Sequence, residues 1–115
     1  MNDRQMDHAS KLLKAMGNRR RLHILHLLEL GERRVGELEE LIGLSQSALS
    51  QHLARLRRDG LVTTRRQAQT IFYSLAGQDV RAVLTALADV REDVNIITTS
   101  VHPPPPPVNL KIGLT

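Results

Sequence analysis

Side chains that could bind nucleic acid recur at helical spacing over residues 46–59. At about 100° per residue, Leu49, Leu53 and Leu56 share one side of this predicted helix and are expected to face a core. The opposite side carries small polar groups first and arginine further along, which suits base edges and phosphates in a major groove. The residues predicted to contact DNA from this segment are Ser45, Gln46, Ser47, Ser50, Gln51, Arg55 and Arg58, with His52 at the boundary of the apolar side.

A β-hairpin is predicted immediately after this helix, over residues 61–75, where β-branched and aromatic residues are frequent. Arg65 and Arg66 precede its tip, and Gln67 and Gln69 lie in it, so all four are predicted to contact DNA. From the helix through the hairpin, five arginines accompany a single carboxylate. A charge run is often only a solvated face, but this segregation favours a polyanionic partner.

The remaining pattern is helical and predicts a mainly α fold with one hairpin. Apolar spacing predicts a first helix over 6–16, and Asn18 is a suitable N-cap for a second. A short third helix is predicted over 35–42, and Gly77 precedes a last helix with an apolar stripe. The predicted order is α-α-α-α-β-β-α, in which the third and fourth helices match a helix-turn-helix plan.

Residue usage argues against several classes of protein. The absence of cysteine excludes disulfides, thiolate metal sites and thiol redox chemistry. No nucleophile–base constellation, glycine-rich phosphate loop or metal triad is evident, so we expect neither an enzyme nor a cofactor. The first residues are polar and no apolar run approaches the roughly 18 residues of a membrane span. A cytoplasmic protein with no membrane contact is therefore expected.

The prolines indicate where the folded domain ends. All five are consecutive, at positions 103–107, and such a run favours polyproline II over helix. We expect a single domain over residues 1–96 and a Pro-rich, disordered tail over 97–115. A Pro-rich docking motif is the alternative interpretation of the tail.

Over residues 9–93 the sequence resembles the ArsR/SmtB family of winged helix-turn-helix repressors. The resemblance is carried by "NRRRLHIL", "VGELEELIGLSQSALSQHLARLRRDGLV" and "TTRRQAQTIFYSL", which occur in the family's order and spacing. It implies a homodimer formed through the first and last helices, bound to operator DNA until a ligand or chemical change releases it. The apolar stripe of the predicted last helix agrees with such an interface.

The sensing sites of the family's metal-binding members do not match this sequence. Where those members carry a CVC motif, this sequence has Arg34, Val35 and Gly36. A second zinc site of the family, between the last helices, corresponds to Gly77, Asp79, Val90 and Asp93. Two carboxylates without histidine are a poor zinc set, so no metal is expected at either place.

The resemblance is strongest to the branch that senses reactive sulfur or oxidants through two cysteines. Those positions correspond to His26 and Glu92, so the dithiol switch is absent. Three interpretations of this candidate sensor pair remain open. It is a structural polar contact, a proton-linked pair, or a metal site completed by His23 and Asp89.

The favoured function is a dimeric, sequence-specific repressor that binds a pseudo-palindromic operator through helix 46–59 and a basic wing. The alternative is an architectural or constitutive DNA-binding protein with no inducer. The two differ in the ratio of operator binding to random-DNA binding.

Overall fold

A computed structural model of the chain describes the backbone of residues 1–101 and the side chains of residues 1–90. The predicted helices and hairpin are all present, and one short strand is added. The elements are α1 (Asp3–Met16), α2 (Arg19–Glu29), β1 (Arg33–Arg34), α3 (Val35–Ile42), α4 (Gln46–Arg58), β2 (Val62–Gln67), β3 (Thr70–Leu75) and α5 (Gln78–Val101).

The helix boundaries follow from local side-chain chemistry. The Asn18 carboxamide accepts hydrogen bonds from the backbone N–H groups of Arg20 and Arg21, each at 3.0 Å, and so caps α2. The Ser45 hydroxyl accepts from the N–H of Ala48 at 3.2 Å and caps α4. Gly43 has a φ of 79°, a left-handed conformation that ends α3 and turns the chain toward α4. The helix-turn-helix is therefore delimited by residues that the sequence already indicated.

The core side of α4 is as predicted. Leu49, Leu53 and Leu56 are at most 2% exposed. Leu38 of α3 and Leu25 of α2 are fully buried in the same unit of the chain. Burial of each such side chain stabilises the fold by about 1.5–3 kcal/mol, so the rotation of α4 about its axis is fixed.

The sheet has three strands rather than the two of a simple hairpin. Its order is β1-β3-β2, with Arg33 opposite Tyr73 and Arg34 opposite Phe72. The sequence does not indicate β1, because two arginines carry no apolar alternation. The hairpin itself is paired without a break from Val62↔Leu75 to Gln67↔Thr70.

The chain divides into two compact units, residues 1–81 and 82–115. The first contains α1 to β3 and the first turn of α5, where Val80 is fully buried. The second begins with the rest of α5, whose backbone is helical through Val101. The domain boundary expected after residue 96 stays a prediction. The predicted tail beyond residue 101 lies outside the described residues. Within the part of the chain that is described, no helix is long and apolar enough to cross a membrane.

The hairpin loop offers a test of the wing geometry. The loop consists of Ala68 and Gln69, and Ala68 has a φ of 57°. A positive φ at the first loop residue alone is the pattern of a type II′ turn, which prefers glycine there. We predict that Ala68→Gly raises the free energy of unfolding by about 0.5–1 kcal/mol, because relief of strain exceeds the added chain entropy. Urea denaturation measures the change, and Gln69→Gly, at a position without positive φ, is the control. Equal effects of the two changes would contradict the turn assignment.

Candidate nucleic-acid interface

The outward side of α4 is exposed and polar. Ser47, Gln51, Ala54 and Arg58 lie opposite the three buried leucines, and all four are exposed. Ser45 is exposed at the helix start, where it also serves as the N-cap. The surface therefore presents hydroxyl and amide groups near the N-terminus and a cation near the C-terminus, which is the arrangement that base edges flanked by phosphates require.

One flank of α4 faces the wing across an open groove of about 470 Å³. Arg57 and Tyr73, which were not among the residues predicted to contact DNA, both line it. Turning α4 by 100° per residue places Arg57 beside Ser50, so helical periodicity could have identified it. The position of Tyr73 in the groove could be predicted only with the register of β3 against its neighbouring strands. The lining residues of this wing-side groove are Val35, Ser50, Leu53, Ala54, Arg57, Arg58 and Tyr73.

The other flank contains an internal ion pair. The Arg55 Nε donates to Asp59 Oδ2 at 2.9 Å, and the Asp59 side chain is only 9% exposed. This hydrogen bond, with a smaller opposing effect of burial, lowers the pKa of Asp59. Arg58, at 3.7 Å from the other carboxylate oxygen, keeps 71% of its side chain exposed. Of the two arginines predicted to bind DNA from α4, Arg58 is thus the one that points its charge to solvent.

His52 is half-buried on the same flank. Burial, then the nearby charges of Arg21 and Arg20, lower its pKa from the usual value. Because a free histidine titrates near pH 6.5, the His52 ring is neutral at pH 7. It can contact a base edge or a phosphate through its N–H, but it contributes no charge to the surface.

The two wing arginines lie on opposite faces of the sheet, because successive strand residues alternate. Arg65 donates to both carboxylate oxygens of Glu32, each at 2.8 Å, and to Gln67 Oε1 at 3.0 Å. Its guanidinium also lies 4.4 Å from the centre of the Phe72 ring. The hydrogen bond from Arg65 is the main cause of the lowered pKa of Glu32. The Arg65 charge is therefore already paired within the protein.

Arg66 is placed differently. Its strand position puts it on the face that carries Tyr73 and the buried Val62, toward the wing-side groove. Arg66 is exposed, and no described side chain forms an ion pair with it. Gln67 and Gln69 are exposed at the tip. The sequence treated Arg65 and Arg66 alike, whereas the register separates them.

Of the candidate sensor pair, the structure describes the side chain of His26 but not that of Glu92. His26 is exposed on α2, with its Nδ1 3.6 Å from Glu29 Oε1. Glu92 is helical, but its side chain lies outside the described residues, so the pairing of His26 with Glu92 stays a prediction. His23 is exposed as well. Among side chains 1–90, no three histidines or carboxylates are placed to hold a metal ion.

A histidine–carboxylate contact of α1 was not anticipated. His8 Nε2 lies 2.7 Å from Asp79 Oδ2, and this contact is the first cause of the lowered pKa of Asp79. It ties α1 to the first turn of α5, within the first unit of the chain. Both side chains are largely exposed, so the contact is a surface link between two helices.

Comparison with known proteins gives a consistent result. The family model described as bacterial regulatory protein, arsR family, matches residues 18–64, from the N-cap of α2 into β2. The transcriptional activator HlyU of Vibrio cholerae is 60% identical over 76 residues, which are 66% of this chain and 70% of that protein. A biofilm growth-associated repressor of Xylella fastidiosa is 39% identical over 85 residues, covering 74% of this chain and 75% of the relative.

Solved structures agree with the fold. HlyU of Vibrio cholerae superposes with a TM-score of 0.75 at 53% identity, over 77% of this chain and 97% of that one. A homodimeric winged helix-turn-helix DNA-binding domain from Mycobacterium bovis, a possible ArsR-family regulator, gives a TM-score of 0.70 at 33% identity. That match covers 81% of this chain and 89% of the domain.

Proposed function

The chain belongs to the ArsR family of bacterial regulatory proteins, and we propose that it is a homodimeric repressor that binds a pseudo-palindromic operator through α4 and the wing. The observation that carries the proposal is the side of α4 opposite its buried leucines, which is exposed, polar and then cationic. Because operator DNA lies in the bacterial cytoplasm, this function places the protein there.

Sequence reading is assigned to the N-terminal half of α4. Gln51 is exposed at the middle of the outward side, and a glutamine amide can bond bidentately to adenine in the major groove. Ser47 and Ser50 lie within a turn of it and can donate to or accept from either base type. Gln46 and His52 border this patch. Specificity is thus expected to come from uncharged groups.

Phosphate binding is assigned to the cations around that patch. Arg57 and Arg58 line the wing-side groove from the last turn of α4, and Arg66 is exposed on the sheet face that carries Tyr73, which also lines the groove. A duplex with α4 in its major groove has a backbone strand on the wing side. Arg65 is held by Glu32 at 2.8 Å and serves to fix the wing.

The dimer is assigned to α1 and α5. Met6 and Leu13 of α1 are 54% and 56% exposed, and Leu87 and Val90 of α5 are 38% and 56% exposed. Exposed apolar residues at helical spacing on both helices are expected where a second copy covers them. A twofold axis through such an interface presents two α4 helices to successive major grooves, so the operator would be pseudo-palindromic.

Changing the proposed reading residue tests specificity. We expect Gln51→Ala to weaken binding to a duplex selected from a random pool by about 1–3 kcal/mol, with little effect on a scrambled duplex. Fluorescence anisotropy at fixed salt measures both affinities. Gln78→Ala, another exposed glutamine, is the control. Equal losses on the two duplexes would remove Gln51 from the reading face. Equal affinities of the native protein for both would instead favour an architectural DNA-binding protein.

The wing arginines give a paired test. We expect Arg66→Gln to flatten the dependence of log K on log salt by about one, because one phosphate contact is lost. Arg65→Gln should leave that slope nearly unchanged and lower the thermal stability of the fold. DNA-binding titrations at salt concentrations from about 50 to 200 mM distinguish the two variants, because slopes of log K against log salt are resolved over this range. The reverse pattern would assign phosphate binding to Arg65.

The proposed dimer interface is tested on α1. Leu13→Asp places a charge in the apolar stripe, and we expect the dimer dissociation constant to rise at least about tenfold, since an unpaired charge must be buried. Sedimentation equilibrium measures it. Leu30→Asp alters a leucine that is 67% exposed outside α1 and α5 and is the matched control. An unchanged dissociation constant in Leu13→Asp would exclude α1 from the interface.

A further inference from the structure

A second set of cations lies beside α4, on the flank away from the wing. An open cleft of about 280 Å³ separates α1 from the C-terminal half of α4. Lys11 and Lys14 line it from α1. Arg20 and Arg21, in the first turn of α2, are near enough to His52 of α4 for their charges to lower its pKa. The complete lining of the cleft is Asp7, Ser10, Lys11, Lys14, Arg55, Arg58 and Asp59. We call Lys11, Lys14 and Arg20 the basic edge.

The carboxylates of the cleft neutralise the basic edge only in part, since Lys11 helps to lower the pKa of Asp59 without forming a direct ion pair with it. Of the two carboxylates in the cleft, Asp59 is bound by Arg55 at 2.9 Å. Among the ion pairs of the described residues, none includes a member of the basic edge. Burial is the main cause of the lowered pKa of His52, and the charges of Arg21 and Arg20 lower it further, in line with a concentration of positive charge on this flank. Such crowding is unfavourable in the free protein and becomes favourable next to a polyanion.

Arg21 holds the basic edge in place. Its Nε donates to the carbonyl of Ala15 at 2.7 Å, and one terminal nitrogen donates to the carbonyl of Lys14 at 3.3 Å. These bonds join the last turn of α1 to the first turn of α2. Lys14 and Arg20 are therefore carried on two helices that are fixed to each other, so their charges need little ordering when a ligand arrives.

The basic edge is also separate from the proposed dimer interface. At 100° per residue, Lys11 lies about 150° and Lys14 about 90° around α1 from the stripe of Met6 and Leu13. All four side chains are exposed. A second copy that covers the apolar stripe leaves the two lysines facing α4.

The geometry of a major groove connects these observations. A helix in the groove has a phosphate backbone on each side, because the groove is only about 12 Å wide. The wing side of α4 already has Arg57 and Arg66. We propose that the basic edge binds the phosphates of the other backbone, so that each half-site is held on both sides of α4. The inference rests on the proposed function, since it names a second contact surface of the same interface.

The test measures the salt dependence of binding to a duplex selected from a random pool by the native protein. We expect Lys14→Gln and Arg20→Gln each to flatten the slope of log K against log salt by about one. The loss of affinity should be the same on a scrambled duplex, because phosphates carry no sequence. Arg4→Gln removes the same charge ten residues before Lys14, roughly 15 Å along α1, and should leave the slope unchanged.

Ethylation interference then locates the contacts. With native protein we expect interfering phosphates on both strands that border the α4 groove, and with the double variant Lys14→Gln/Arg20→Gln only the wing-side set. Persistence of both sets, or slopes equal to that of Arg4→Gln, overturns the basic edge while the proposed function stands. If native protein binds neither duplex, the proposed function fails and the inference fails with it.

Discussion

Leu49, Leu53 and Leu56 are buried along one side of α4, and their burial decides which of its side chains solvent can reach. Rotating the helix by one residue, about 100°, would expose a leucine and turn either Ser50 and Arg57 or His52 and Arg55 toward the core, at a cost of several kcal/mol. The caps at Ser45 and Gly43 fix where the helix begins, so both its rotation and its register are determined. Every assignment on the outward side depends on this constraint.

The arginines of the interface fall into two groups that their sequence positions do not distinguish. Arg55 and Arg65 are bound by Asp59 and Glu32, each with a contact shorter than 3 Å. Both carboxylates have lowered pKa values, so they remain ionised and the pairs persist near neutral pH. Counting charges along the chain therefore overstates the number of cations that a polyanion would meet. The basic character of the surface comes from the arginines left over and from lysines on α1.

The order of the elements, the caps of α2 and α4 and the core side of α4 could be predicted from the sequence, because periodicity and capping are local properties. β1 could not be predicted, since Arg33 and Arg34 become a strand only by pairing with β3. The Arg65–Glu32 pair joins residues 33 positions apart, and the wing-side groove requires the strand register to bring Tyr73 toward Arg57. The phosphate-binding role proposed for Lys14 and Arg20 could not be predicted for a similar reason, because their position relative to α4 depends on how α1 and α2 pack.

The third strand and the Glu32–Arg65 pair together determine the direction of the wing. β1 pairs with β3 at the base of the hairpin, and Glu32, directly before β1, reaches across β3 to β2. Ser74 of β3 donates to the same carboxylate at 3.2 Å, so all three strands are joined. A hairpin of two strands is marginally stable by itself, and its tip would otherwise sample many positions relative to α4. Because the wing is braced on the face opposite Arg66, the strand that carries this arginine has a fixed position before any ligand binds, which lowers the ordering cost of association.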